Sequence, residues 1–162
     1  MENLFEEYLS RVVKMKKSIL LCYITALMIG FATSCGAIDN PDAPDYVADF
    51  NKRSLKFETA IHVHARTTQD TLMAYAEYER FLNSELNSAY EALLTKLAAS
   101  QMTMIQESQR NWVKYRDSEF GFIAENWTTK NFGSSAVLSR GAYRTTIVRE
   151  RITLLLSYLK NY

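Results

Sequence analysis

From Thr67 to Phe120 the chain contains neither glycine nor proline. Such a stretch lacks the two residue types that most readily end a helix or open a tight turn. Within it Leu82, Leu86, Ala89, Leu93 and Leu97 recur at spacings of four, three, four and four. That spacing follows one face of an α-helix. Thr67 followed by Asp70 has the spacing of a capping box. The pattern predicts a first helix over about residues 69–97. Ala98, Ala99 and Ser100 then form a turn, with Ser100 capping a second helix over about residues 101–127. The stripe of that helix is Ile105, Gln109, Trp112, Arg116, Phe120, Ile123 and Trp127. Residues 128–135 read as a loop broken at Gly133. A third helix over about residues 136–160 turns Ile147, Val148, Ile152, Leu155 and Leu159 inward. Three long helices on short connections predict an all-α fold, a small antiparallel three-helix bundle spanning residues 67–162.

The N-terminal part reads differently. Lys16 and Lys17 precede an apolar run from Ile19 to Phe31. The run is shorter than the about 20 residues that a membrane-crossing helix needs. A basic start, a short apolar middle and then Ala32, Thr33 and Ser34 before Cys35 describe an export signal. The sequence Ala-Thr-Ser-Cys resembles a bacterial lipobox, and Cys35 is then the lipidated residue. Residues 15–35 are accordingly expected to be a lipoprotein signal. Residues 1–14 carry three glutamates ahead of the lysines, which suits no export signal. Met15 is therefore the expected start, and residues 1–14 an extension assigned in error. Residues 36–53 hold both prolines and four aspartates, and residues 54–66 show no clear period. Together, residues 36–66 are expected to be a solvated tether and an ill-defined lead-in.

Composition narrows the function classes. The net charge is +1 over 162 residues, with 23% charged and 48% hydrophobic residues. That is ordinary for a globular domain and gives no footprint of nucleic-acid binding. Both cysteines, Cys22 and Cys35, lie in the export segment. The domain therefore has no disulfide framework, thiolate metal site or cysteine nucleophile. His62 and His64 are the only histidines, and no third ligand stands at a metal-site spacing. No nucleophile elbow, phosphate loop or metalloprotease helix is present. No cofactor and no metal site are expected, and the chain does not read as an enzyme.

Two polar residues interrupt the stripe of the second helix, Gln109 and Arg116. A desolvated arginine is costly unless paired and hydrogen-bonded. Asp117 points about 100° round the helix from Arg116, so Glu79, Glu85 and Glu150 are the expected partners. Asn87 and Tyr90 share one face of the first helix. Trp112, Tyr115, Arg116 and Glu119 share one face of the second. If the faces meet they form a polar-aromatic cluster, which is either cross-bracing or a binding site. A buried Trp112 costs about 3–5 kcal/mol when truncated to alanine.

The run from Glu85 to Leu94, with Leu86, Asn87 and Tyr90, and then Gln109, Arg110, Trp112, Tyr115, Arg116, Asp117 and Glu119, resembles the lysozyme inhibitor LprI-like N-terminal domain family. Arg151, with residues 146–155, looks like that family's last element. The resemblance covers about residues 75–160, and its middle motif is the specific part. It implies a helical domain of an exported lipoprotein, and lysozyme inhibition as a function. It also implies family-motif roles for Asn87, Tyr90, Gln109, Trp112, Tyr115, Arg116, Asp117, Glu119 and Arg151. Many members carry two cysteines, implying a disulfide, where this chain has Phe120 and Tyr143. An aromatic contact between the second and third helices is the expected substitute. Asn83 stands where members often carry an aspartate.

The expected function is therefore an envelope lipoprotein, anchored to the membrane by its N-terminal lipid and facing the periplasm or the surface. Its helical domain binds a lysozyme or another envelope protein. A structural or interaction lipoprotein without lysozyme inhibition is the alternative, and a cell-wall glycan enzyme the third reading. An exposed acidic or aromatic loop favours inhibition. A featureless charged exterior favours the interaction reading. A pocket holding two carboxylates favours the enzyme.

Overall fold

The structure, a computed structural model, describes residues 44–162. The expected N-terminal extension and export signal, with Cys35, and the first part of the expected tether lie outside the described residues. Helix α1 spans Tyr46–Thr59 and runs on through a π-helical turn, Ala60–His64. Helix α2 spans Thr68–Leu94, α3 Ala99–Asn126, the single-turn α4 Thr129–Phe132, and α5 Ser135–Leu159. The all-α bundle stands, and there is no strand among the described residues. None of these helices is long and apolar enough to cross a membrane.

The bundle has a fourth long helix, because the expected tether folds. The Asp45 carboxylate accepts the Ala48 N–H at 2.9 Å and caps α1, and Asp49 lies in its first turn. Two acids that look like solvated linker thus sit where the helix dipole favours negative charge. Phe50 and Ser54 are fully buried. Phe57 stacks on Phe81 at 4.5 Å and on Tyr78 at 5.8 Å, and Phe50 faces Phe81 at 6.2 Å. Arg53 makes two hydrogen bonds to Glu85, at 2.8 and 2.7 Å. Arg149 reaches back from α5 to Glu58, Tyr78 and Asn51.

Pairings along the helices give the topology. Tyr75 meets Gly141, Glu79 meets Arg144, and Leu93 shares a groove with Tyr158, so α2 and α5 run parallel. Arg53 meets Glu85 and Glu58 meets Tyr78, so α1 opposes α2. Gln109 meets Arg151 and Trp127 meets Tyr143, so α3 opposes α5. Consecutive long helices are therefore antiparallel. The most extensive contact is between α2 and α5, with α1 laid on both. Their core is Phe50, Tyr75, Tyr78, Leu82, Leu86, Ala89 and Leu93 against Val148, Ile152, Leu155 and Leu156.

Helix α3 is the lightest-held element. It packs mainly on α5, and Ile123 is its only fully buried residue. The expected stripe does face the bundle, but Ile105, Trp112 and Phe120 are half-buried. The boundaries also shift. Thr67 and Asp70 form the expected capping box, at 3.0 and 3.1 Å. Ser100 is not a cap: α3 starts after Ala98, whose N–H donates to the Gln101 side chain at 3.0 Å. The glutamine reaches back to a free N–H, which the serine lies too late in the chain to serve. The loop at residues 128–135 contains α4, capped by Thr128. Gly133 follows at φ +57°, the left-handed region that glycine enters without strain.

Candidate functional site

The family-motif residues divide between a braced interior and the surface. Arg151 is the buried cation of the site, at 7% exposure. Its Nε donates to the Gln109 side-chain oxygen at 2.9 Å, and its Nη2 to Ser108 Oγ at 3.2 Å. Its guanidinium lies 5.8 Å from the Trp112 ring centre. Among the described residues no carboxylate pairs with it, and burial pushes its pKa down from the usual arginine value. Gln109 is thus polar on an apolar stripe because it accepts from an arginine of the facing helix. Sequence reasoning singled out Gln109 and sought the costly arginine at Arg116, whereas the buried one is Arg151.

Arg116 is half-buried and does pair with Asp117, at 2.9 and 2.7 Å. This corrects the expectation from helix geometry. The two Cα–Cβ bonds diverge, but the arginine side chain is long enough to fold back onto its neighbour. Arg116 also lies 5.4 Å from the Trp112 ring centre and 5.9 Å from that of Phe120. The acids expected to serve it are engaged elsewhere: Glu79 with Arg144, Glu85 with Arg53. Glu150 is exposed. Trp112 therefore lies beside two guanidinium groups rather than inside the core. As a half-buried ring its truncation should cost about 2 kcal/mol, less than full burial implies.

The two expected faces meet only in part. Tyr90 and Gln109 line one groove between α2 and α3. Glu119 is half-buried, while Asn87 and Asp117 are exposed. Tyr115 is 53% exposed, so it turns out of the face assigned to it. Phe120 and Tyr143 do not substitute for a crosslink by touching one another. Phe120 lies under Arg144, whose guanidinium is 4.5 Å from the ring centre, and Tyr143 packs on Trp127 at 4.6 Å.

Glu79, Asp117, Arg116 and Arg144 line one cavity of about 210 Å³ with Leu82, Asn83, Phe120 and Val148. Burial holds the Glu79 carboxyl above the usual glutamate range, against the pull of Arg144. In the folded protein this group therefore binds more protons than in the unfolded chain. Its contribution to stability is full below the ordinary glutamate pKa and falls as pH rises through the raised value. Glu79→Gln should close on the wild type in stability between about pH 4 and about pH 7 in urea titrations. A gap that widens with pH would show that Arg144 dominates instead.

Arg151 gives a second test. Arg151→Ala leaves Gln109 without its donor and opens a void, and should cost about 3 kcal/mol. Arg151→Met fills the space without a charge and should recover most of that loss. Equal losses in the two variants would mean that the hydrogen bonds, not the packing, hold the site.

Among the described residues no group of three His, Cys, Asp or Glu side chains is placed to hold a metal ion. His62 and His64 lie exposed on the π-helical turn. Among the exposed apolar side chains, an aromatic group gathers around α4. Trp127 meets Phe122 edge-on at 5.7 Å, Phe132 at 6.4 Å and Tyr143 at 4.6 Å. This cluster was not singled out from sequence, because only Trp127 among the four had been assigned to a helix stripe with a structural role.

Comparison with known proteins bears on the same stretch. Neither the curated proteins nor the solved structures gave a significant match. A family model described as lysozyme inhibitor LprI matches residues 62–155. The match runs from the π-helical turn through α2, α3 and α4 into α5, and leaves α1 outside it. It covers more than half of the sequence and includes every motif residue from Asn87 to Arg151, so the chain belongs to the lysozyme inhibitor LprI family.

Proposed function

We propose that this protein is a lysozyme inhibitor of the cell envelope, acting by binding and not by catalysis. The observation that carries the reading is the family match over residues 62–155, which spans most of the folded domain. Two features of the structure support it. Gln109, Trp112 and Arg151 of the motif are spent on bracing α3 against α5, which leaves the outer surface to bind a partner. The exterior also presents an aromatic cluster rather than a uniformly charged face. Export and attachment through Cys35 would place the domain where lysozyme attacks the cell wall.

The glycan-enzyme reading has one observation in its favour, the cavity shared by Glu79 and Asp117. Each of these carboxylates is paired with a guanidinium, Arg144 or Arg116. A glycosidase needs one carboxyl free to protonate the leaving group and another free to act as base or nucleophile. Neither is free here, so inhibition is the better-supported reading.

Clearing of a cell-wall suspension tests it. The full chain in mild detergent is added to c-type and g-type lysozymes, with a heat-unfolded control and a control without lysozyme. Dose-dependent slowing of clearing is the expected outcome. Unchanged clearing at high micromolar folded protein would overturn the reading, and clearing by the protein alone would favour the enzyme.

A further inference from the structure

Three rings around α4 are left in water. Phe122 is 58% exposed, Phe132 46% and Tyr143 47%. They surround half-buried Trp127, which touches all three. The cluster brings together the end of α3, the single-turn α4 and the first half of α5. Gly133, in the left-handed region, makes the bend that folds α4 beside α5. Exposed aromatic patches of this kind are costly in a free domain and mark contact surfaces, where Trp, Tyr and Phe supply large area at small entropic cost.

The charge beside α4 and the start of α5 is positive, and carboxylates flank the α3 end of the cluster. From Asn126 to Arg149 the chain holds four cations and not one aspartate or glutamate; Arg144 and Arg149 are paired with Glu79 and Glu58, which leaves Lys130 and Arg140 to the patch. Lys130 is exposed and lies two residues before Phe132 on α4. Arg140 lies three residues before Tyr143, on the same side of α5. Glu119 and Glu125, one turn either side of Phe122, are the carboxylates at the border. The patch thus combines flat apolar rings with cations, in a protein whose overall charge is close to zero.

A lysozyme cleft has the complementary chemistry. It binds sugar faces along its length and places two carboxylates about the scissile bond. We infer that the Phe122–Trp127–Phe132–Tyr143 cluster is the surface that enters the lysozyme cleft, with its rings on the sugar subsites and Lys130 and Arg140 toward the catalytic carboxylates. The inference rests on the lysozyme-binding reading above and adds the contact surface to it. Lys130 and Arg140 meet the cleft carboxylates at close range, and desolvated aromatic anchors hold the complex.

The test uses the full chain in mild detergent, measuring both inhibition of clearing and affinity for immobilised lysozyme. Phe132→Ser combined with Lys130→Glu changes two exposed side chains and should leave the melting temperature unaltered. It should weaken binding and inhibition at least ten-fold. Leu55→Ser combined with Met73→Ser, exposed positions on α1 and α2, should bind and inhibit as the wild type does. A chitotriose that fills the cleft should compete with the wild type for lysozyme, and raised salt should weaken the complex. Full inhibition by the Phe132/Lys130 variant, without chitotriose competition, would overturn the contact surface and leave the inhibitor reading standing. Absence of inhibition by the wild type would overturn both. Sedimentation of the wild type with cell wall, without affinity for lysozyme, would show that it shields the glycan instead and would overturn the inference.

Discussion

Phe50→Ala is expected to lose about 3–5 kcal/mol of stability, with a fall in Tm of roughly 10 °C or more. Phe50 has no exposed surface, faces the Phe81 ring at 6.2 Å and carries Arg149 over its own ring at 5.6 Å. Its removal leaves a void between α1, α2 and α5 that rigid neighbours cannot fill. Leu55→Ala on the same helix should stay within about 0.5 kcal/mol of the wild type, since Leu55 is 60% exposed. If residues 46–59 were a tether, both variants would be silent. Thermal melts of the two variants, followed by circular dichroism, decide the point.

Gly141 carries the second large effect. A Cβ placed there would lie 2.4–2.6 Å from Cγ, Cδ1 and Cδ2 of Tyr75. Tyr75 is itself buried in the core, so its ring cannot swing aside cheaply. The absent side chain is what lets α2 and α5 approach at this level. Helix propensity alone would make Gly141→Ala stabilising by about 1 kcal/mol. Overpacking should reverse that sign and cost about 1–3 kcal/mol, with Gly141→Val worse. Adding Tyr75→Leu to Gly141→Ala should recover part of the loss, as expected of two residues in direct contact. Stabilisation by Gly141→Ala in urea titrations would refute the close approach.

These two residues also show what was legible in the sequence. The α2 stripe of Leu82, Leu86, Ala89 and Leu93 was readable because its period is clean and no glycine or proline interrupts it. The inward side of α5 was readable from its period alone, through Val148, Ile152, Leu155 and Leu159, although Gly141 lies inside the helix. Helix α1 was hidden by its own start signals. Asp45 and Asp49 serve the N-terminus of a helix, but beside Pro41 and Pro44 they read as a solvated linker. Glycine inside a helix reads as a weakness, and only the position of Tyr75 shows why Gly141 belongs there.

The site was half legible. Gln109 stood out as a polar residue on an apolar stripe, and the structure supplies its reason in Arg151. Arg151 carried the same signal and was passed over: it stands three residues after Val148 and four before Leu155, on the inward stripe of α5. Arg116 was misjudged because residue spacing fixes where a side chain starts, not how far a long one bends back. The aromatic cluster escaped notice because its members fall on three consecutive elements joined by a loop, so no single helical period links them. Their meeting depends on the turn at Gly133.

Gln109, Trp112 and Arg151 brace α3 against α5, and partner binding is proposed to fall to exposed residues outside the motif. Lysozyme inhibition by Arg151→Met tests this most directly, measured at a temperature where urea titration shows the variant fully folded. Inhibition equal to that of the wild type is the expected result. Lost inhibition in a folded Arg151→Met domain would place the motif in the binding surface and contradict the account.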